Sequence, residues 1–146
     1  MPTFPSSLVT PEHVVFEGEV EAVMLRTDVG EATFLVGHTP LIGSIVPGLV
    51  RFQDEDGTVK RVAVHGGFVH VKHDGVTVLA PVAELAGDID VERAHRALEA
   101  AEQQVTEATG RAGTGGDDDL SVSGELAEAQ AAVLRAQVRI EVAAGT

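Results

Sequence analysis

Arg135 and Arg139 stand four residues apart, one turn of a helix, so both guanidiniums project from one side of it. Two planar forks held that way suit phosphate oxygens, which accept paired, charge-assisted hydrogen bonds from arginine. The chain holds only 10 Lys and Arg against 23 Asp and Glu, so such a grouping stands out from its background. Arg93 lies on an earlier segment and joins the pair only if the chain doubles back on itself, with Asp90 placed to hold it. The same arginines also suit surface pairing with Glu92, Glu141 and their neighbours, where an exposed ion pair contributes only ~0 to 1 kcal/mol.

Other chemistries find no support. Gly110 to Asp117 spaces its glycines like a phosphate-binding P-loop, but Gly116-Asp117 stands where Lys and Ser or Thr are required, and a helix rather than a strand precedes it. The histidines, at 13, 38, 65, 70, 73 and 95, include no His-x-x-x-His pair, and His70 and His73 should face opposite sides of a strand, so no metal site is expected. No Ser sits in a Gly-x-Ser-x-Gly elbow, and Asp117 to Asp119 lacks the alternating spacing of a calcium loop. The absence of cysteine removes thiol catalysis, thiolate zinc sites and disulfides.

The formal charge of -13 repels nucleic acid, and a chain without Trp or Tyr lacks base-stacking platforms. Met1 to Ser7 has neither the cationic nor the apolar region of a signal peptide. The most apolar stretch, Leu41 to Val50, falls short of the ~20 residues that cross a bilayer. Membrane association is therefore expected only through a partner.

The elements that must position the arginines follow from periodicity. From Leu8 to about Ala86, β-branched runs broken by Gly, Pro and Asp predict strands. The runs are Val14–Phe16, Val20–Leu25, Thr33–Val36, Leu49–Gln53, Val59–Val64, Phe68–Val71 and Val76–Leu79. Asp56-Gly57 and Asp74-Gly75 predict tight hairpin turns with glycine supplying positive φ. About seven strands without helical periodicity bury one face each most economically as two packed sheets.

After Gly87 the period changes. Val91, Leu98 and Val105 recur every seven residues, with Ala94, Ala101 and Ala108 at the offset of three; Leu126, Val133 and Ile140, with Ala129, Ala136 and Ala143, repeat the pattern. Asp88 or Asp90 can cap the first helix. Between the helices, 110–124 holds Gly110, Gly113, Gly115, Gly116 and Gly124 with three consecutive Asp, a composition expected to form a flexible loop. An antiparallel pairing would set Val105 on Leu126, Leu98 on Val133 and Val91 on Ile140, and would bring Arg93 to the height of Arg135 and Arg139. Alanine seams bury little area, so the hairpin is expected to be conditionally stable and able to exchange its partner surface. The fold class is α+β: an N-terminal antiparallel β-sandwich, 1–87, followed by a C-terminal antiparallel two-helix hairpin, 88–146.

Across about eighty residues, strings of the chain resemble the epsilon-subunit family of F-type ATP synthases. They are Leu8-Val-Thr-Pro-Glu12, Val15-Phe-Glu-Gly-Glu-Val20, Gly30-Glu31, Gly37-His38-Thr-Pro-Leu41, Pro47-Gly48, Gly66-Gly67-Phe68-Val69, and Val78-Leu79-Ala80 followed by Ala83-Glu84. Ile89-Asp90-Val91-Glu92-Arg93-Ala94 is similar to the Ile/Leu-Asp-x-x-Arg-Ala motif of the ATP-binding members. Two departures stand out: Thr33-Phe34-Leu35-Val36 replaces a common Gly-Ile-Leu-Pro, and Ala100 stands where some ATP-binding members carry a further arginine.

The resemblance implies a non-catalytic subunit of the central stalk, in contact with the gamma subunit, the membrane c-ring and, through its helices, the catalytic alpha/beta head. It implies a place at the cytoplasmic face of the cell membrane, peripheral through the complex, and a role in coupling rotation to synthesis while restraining ATP hydrolysis. No cofactor is required, and ATP enters as a possible regulatory ligand, held by Glu84, Asp90, Arg93, Arg135 and Arg139, with Glu84 accepting from the adenine amino group. Glu31 and His38 match family positions facing the ring and gamma. A free-standing β-sandwich binding module with a helical oligomerisation tail fits the same elements; copurification with a large membrane complex separates the two readings.

Overall fold

The computed structural model describes residues 2–112 and 119–144. Ten strands come first: β1 (Phe4–Val9), β2 (Val14–Val20), β3 (Ala22–Thr27), β4 (Gly30–Phe34), β5 (Leu41–Ile45), β6 (Gly48–Gln53), β7 (Val59–Val64), β8 (Gly67–Lys72), β9 (Gly75–Leu79) and β10 (Ala83–Leu85). They run in the order β10-β7-β6-β3-β5-β8-β9-β1-β2, with β4 on β3. Between β3 and β5 the ladder narrows to the single pair Thr27 and Ile45, and there the sheet divides into two halves packed face to face. Val23, Leu25, Val50, Phe52, Val62 and Val64 from one half meet Leu8, Val69, Val71 and Val78 from the other in one buried cluster. Phe16 of β2 stacks on Phe52 of β6 at 4.2 Å between ring centroids.

The expected sandwich is present, with differences that have physical causes. The run Val20–Leu25 is broken at Glu21, whose N–H leaves the hairpin to donate to the Gln53 carbonyl at 2.7 Å. Strands β1, β5 and β10 lie outside the expected runs. In β1, Phe4, Ser6 and Leu8 are the buried alternates, and the Ser6 hydroxyl donates to the Val76 carbonyl at 3.1 Å, so a Pro- and Ser-containing segment becomes a strand through its neighbours rather than its propensity. β1 pairs parallel with β9, the one departure from antiparallel order among the strand pairs described here.

The Asp56-Gly57 turn is as expected: Gly57 has φ +87°, and the Thr58 N–H donates to the carboxylates of Asp54 and Asp56 at 3.0 and 2.9 Å. The Asp74-Gly75 expectation needs correction. The hairpin forms, but Lys72 faces Gly75 across the ladder, leaving His73 and Asp74 as the turn, and Gly75 has no positive φ. Glycine is required there because a Cβ would stand 2.7 Å from the Pro5 carbonyl oxygen of β1.

A 3-10 turn (Ala86–Asp88) leads into α1 (Val91–Ala112), and α2 (Asp119–Ala143) returns. Asp90 caps α1: its carboxylate accepts the Arg93 N–H at 3.1 Å, satisfying one of the orphan donors of the first turn. Both ends of the expected loop are helical, since α1 reaches Ala112 and α2 starts at Asp119; the remainder, 113–118, lies outside the described residues.

Between the helices the alanines form the buried line: Ala94, Ala101, Ala108, Ala129 and Ala136. The larger seam residues sit at its margin, with Leu98, Val105, Leu126, Val133 and Ile140 half-buried and Val91 exposed, contrary to the expected stacking of Val91 on Ile140. Val105 lines a groove with Glu102, Thr106, Gln130 and Val133. The cause is a second demand on α2. Its C-terminal half turns Val138 and Val142, an i,i+4 pair, onto Ala63 of β7 and Ile89, with Leu49, Ala86 and Ala143 packed around them. Ala143, expected in the helix seam, therefore packs toward the sandwich.

Candidate functional site

The joint between sandwich and hairpin is built on the outer side of β6, β7 and β10. Leu49, Ala63 and Glu84 lie in one row, since Leu49 and Glu84 are the two cross-strand partners of Ala63. Strand alternation turns this row away from the core, toward α2. Two residues on, His65 follows β7, its N–H donating to the Val82 carbonyl at 3.2 Å.

Glu84 and Arg139 meet across this joint: the Arg139 Nε donates to Glu84 Oε1 at 2.5 Å, with both side chains about one-third exposed. Arg135, one turn earlier on α2, instead donates to Glu128 at 2.9 Å. The expected surface partners Glu92 and Glu141 are thus not the ones used by either. His65 Nε2 lies 3.7 Å from the same Glu84 oxygen, with a side chain only 5% exposed. Burial first, then the Arg139 charge, lowers the His65 pKa from 6.5, against an opposing pull from Glu84, and Arg135 adds to the lowering.

Of the five residues expected to hold a nucleotide, Glu84 and Arg139 are in contact, and Arg135 stands one turn away with its field reaching the same joint. Asp90 holds the backbone of Arg93 rather than its guanidinium. The Arg93 side chain is exposed and makes no hydrogen bond or ion pair among the described residues. His65 is not among the nucleotide-binding residues that the sequence suggests; the signal that marks it is its parity with Ala63 on β7, next to Gly66-Gly67. Among the described residues no group of His, Cys, Asp or Glu could hold a metal ion.

Glu31 and His38 lie elsewhere. Glu31 of β4 pairs with Arg26 of β3 at 3.3 Å, its cross-strand partner, at a groove that Arg51 and Glu141 also line. His38 follows β4 in an exposed loop, its ring Nδ1 2.8 Å from the Thr39 carbonyl and edge-on to Phe34 at 4.8 Å.

Residues 3–86 match the family model described as ATP synthase, Delta/Epsilon chain, beta-sandwich domain. The chain belongs to the ATP synthase epsilon-chain family. Over 108 residues, 74% of this chain and 80% of the relative, it is 47% identical to the ATP synthase epsilon chain of Halalkalibacterium halodurans. Over 100 residues, 68% of this chain and 76% of the relative, it is 46% identical to that of Brevibacillus brevis. A chain in the solved structure of the Euglena gracilis mitochondrial ATP synthase, OSCP/F1/c-ring, superposes with a TM-score of 0.77 over 99% of this chain and 83% of that one. At 22% identity that likeness concerns the fold: sandwich and hairpin together form the epsilon architecture. No helix among the described residues is long and apolar enough to cross a membrane.

Proposed function

We propose that this chain is a non-catalytic, ATP-sensing coupling subunit of the central stalk. Its sandwich, 1–87, is the fixed part, with Glu31 and His38 at contacts to the c-ring and gamma subunit. The hairpin, 88–146, is the mobile part, which restrains ATP hydrolysis when it leaves the sandwich for the alpha/beta head. The protein then works at the cytoplasmic face of the membrane, held there by the complex.

The observation that carries the reading is the joint: Glu84 of β10 and Arg139 of α2 close it, with Arg135 one turn away. A nucleotide there would exchange carboxylate partners of the arginines for phosphate oxygens, a swap of like charge-assisted bonds, while Glu84 would turn to the adenine amino group and Arg93 would complete the phosphate grip. Bound ATP at ~100 times its Kd would favour the docked hairpin by about 2.7 kcal/mol, enough to shift a helix pair cemented by alanine. Calorimetric titration of ATP into the full chain tests this, with a saturable heat in the parent and a loss of affinity in Arg93→Ala and Arg135→Ala as the expected outcome. Unmoved helix resonances on ATP addition, or Arg93→Ala binding as well as the parent, would overturn it. Copurification with the rotary complex tests the coupling role separately.

A further inference from the structure

His65 occupies a position that the nucleotide reading does not use. Its side chain is buried, and neither ring nitrogen has a hydrogen-bond partner among the described residues. Leaving such a group unpaired in the interior is destabilising, so its persistence calls for a role. The nearest acceptor, Glu84 Oε1, is 3.7 Å away and already takes the Arg139 Nε–H. The charged groups that bear on the ring are therefore Glu84 from β10 and Arg139 and Arg135 from α2.

We propose that His65 is a protonation-sensitive latch: α2 stays docked on β6 and β7 while the imidazole is neutral, and lifts away when the ring takes up a proton. A proton on the ring would set a second cation beside Arg139, with Glu84 as the single carboxylate between them and Arg135 adding to the repulsion. Glu84 can then serve the imidazolium or Arg139, and serving the imidazolium unties the hydrogen bond that holds α2. The alternative, hydration of the ring, requires α2 to lift. Either route weakens docking.

The sign follows from linkage. In the docked state the ring binds its proton less readily than the ordinary 6.5, so the undocked state binds more protons below that value. Docking is unaffected above pH 6.5 and weakens as pH falls beneath it. At pH 5.5, one unit lower, the docking equilibrium is expected to fall, with about tenfold as the upper limit that linkage sets, still above the ordinary carboxylate range. The device needs no nucleotide, so its failure would leave the ATP reading standing.

The test is amide exchange of Val138 and Val142 in the full-length chain without nucleotide, at pH 7.5 and 5.5, corrected for intrinsic rates. The parent should lose protection at pH 5.5, by up to about tenfold, and His65→Gln and His65→Ser should lose none; the other histidines are common to all three and cancel. An equal loss in either folded variant, or no loss in the parent, overturns the latch. The His65 ring resonances of the parent give a readout independent of the variants: a midpoint below 6.5 is expected, and one at or above 6.5 overturns the proposal.

Discussion

Glu84 and Arg139 are separated by 55 positions in the chain and joined by one hydrogen bond in space. With both side chains about one-third exposed, water screens the pair, and its contribution belongs between the surface and buried regimes. We predict that Glu84→Gln and Arg139→Ala each lower stability by about 1 kcal/mol in urea titrations. In a double-mutant cycle they should couple by ~0.5 kcal/mol or more; coupling near zero would mean that the contact does not hold the joint. The shared side of Arg135 and Arg139 is legible in the sequence, because four residues make one turn whatever surrounds the helix. Their partners are not: Glu128 is one of many acids in reach of α2, and Glu84 is brought close only by the pairing of β10 with β7.

Among the elements, the hairpin carries the clearest periodicity and the least expected packing. Alanine at every buried seam position lets the helix axes approach, so the interface is thin and intolerant of bulk. Ala101→Leu would insert three further carbons into a position 3% exposed, forcing the helices apart at a cost of about 1 to 3 kcal/mol. Helix amides should then exchange faster while the strands keep their protection. Unchanged helix exchange would show that the alanine line is not the closely packed one. The heptad spacing announces which residues share a face, but not which of two faces is covered. α2 serves both α1 and the sandwich, and Val138 and Val142, which carry the second contact, lie off the seam.

On the scale of the whole molecule, the buried apolar residues fall into two clusters of unequal size. The sandwich core runs through both half-sheets, whereas the hairpin rests on it through a small patch centred on Ala63, Ile89, Val138 and Val142. Val142→Asp would bury a charge in that patch, a cost that the chain avoids by undocking. Strand amides should keep their protection, and α2 amides should lose at least tenfold. A matching loss in the strands would mean that the two parts unfold as one.

The order of elements, the change of period near Gly87, the Asp56-Gly57 turn and the cap at Asp90 were all decided by local chemistry, which acts between residues a few positions apart and so can be read along a chain. The third dimension alone decided the parallel docking of β1 on β9, the close approach that makes Gly75 a glycine, and the burial of His65 between Glu84 and α2. Those features depend on which surfaces meet after the strands have paired. The free energy of such a meeting belongs to both surfaces at once, and neither segment carries a mark of it alone.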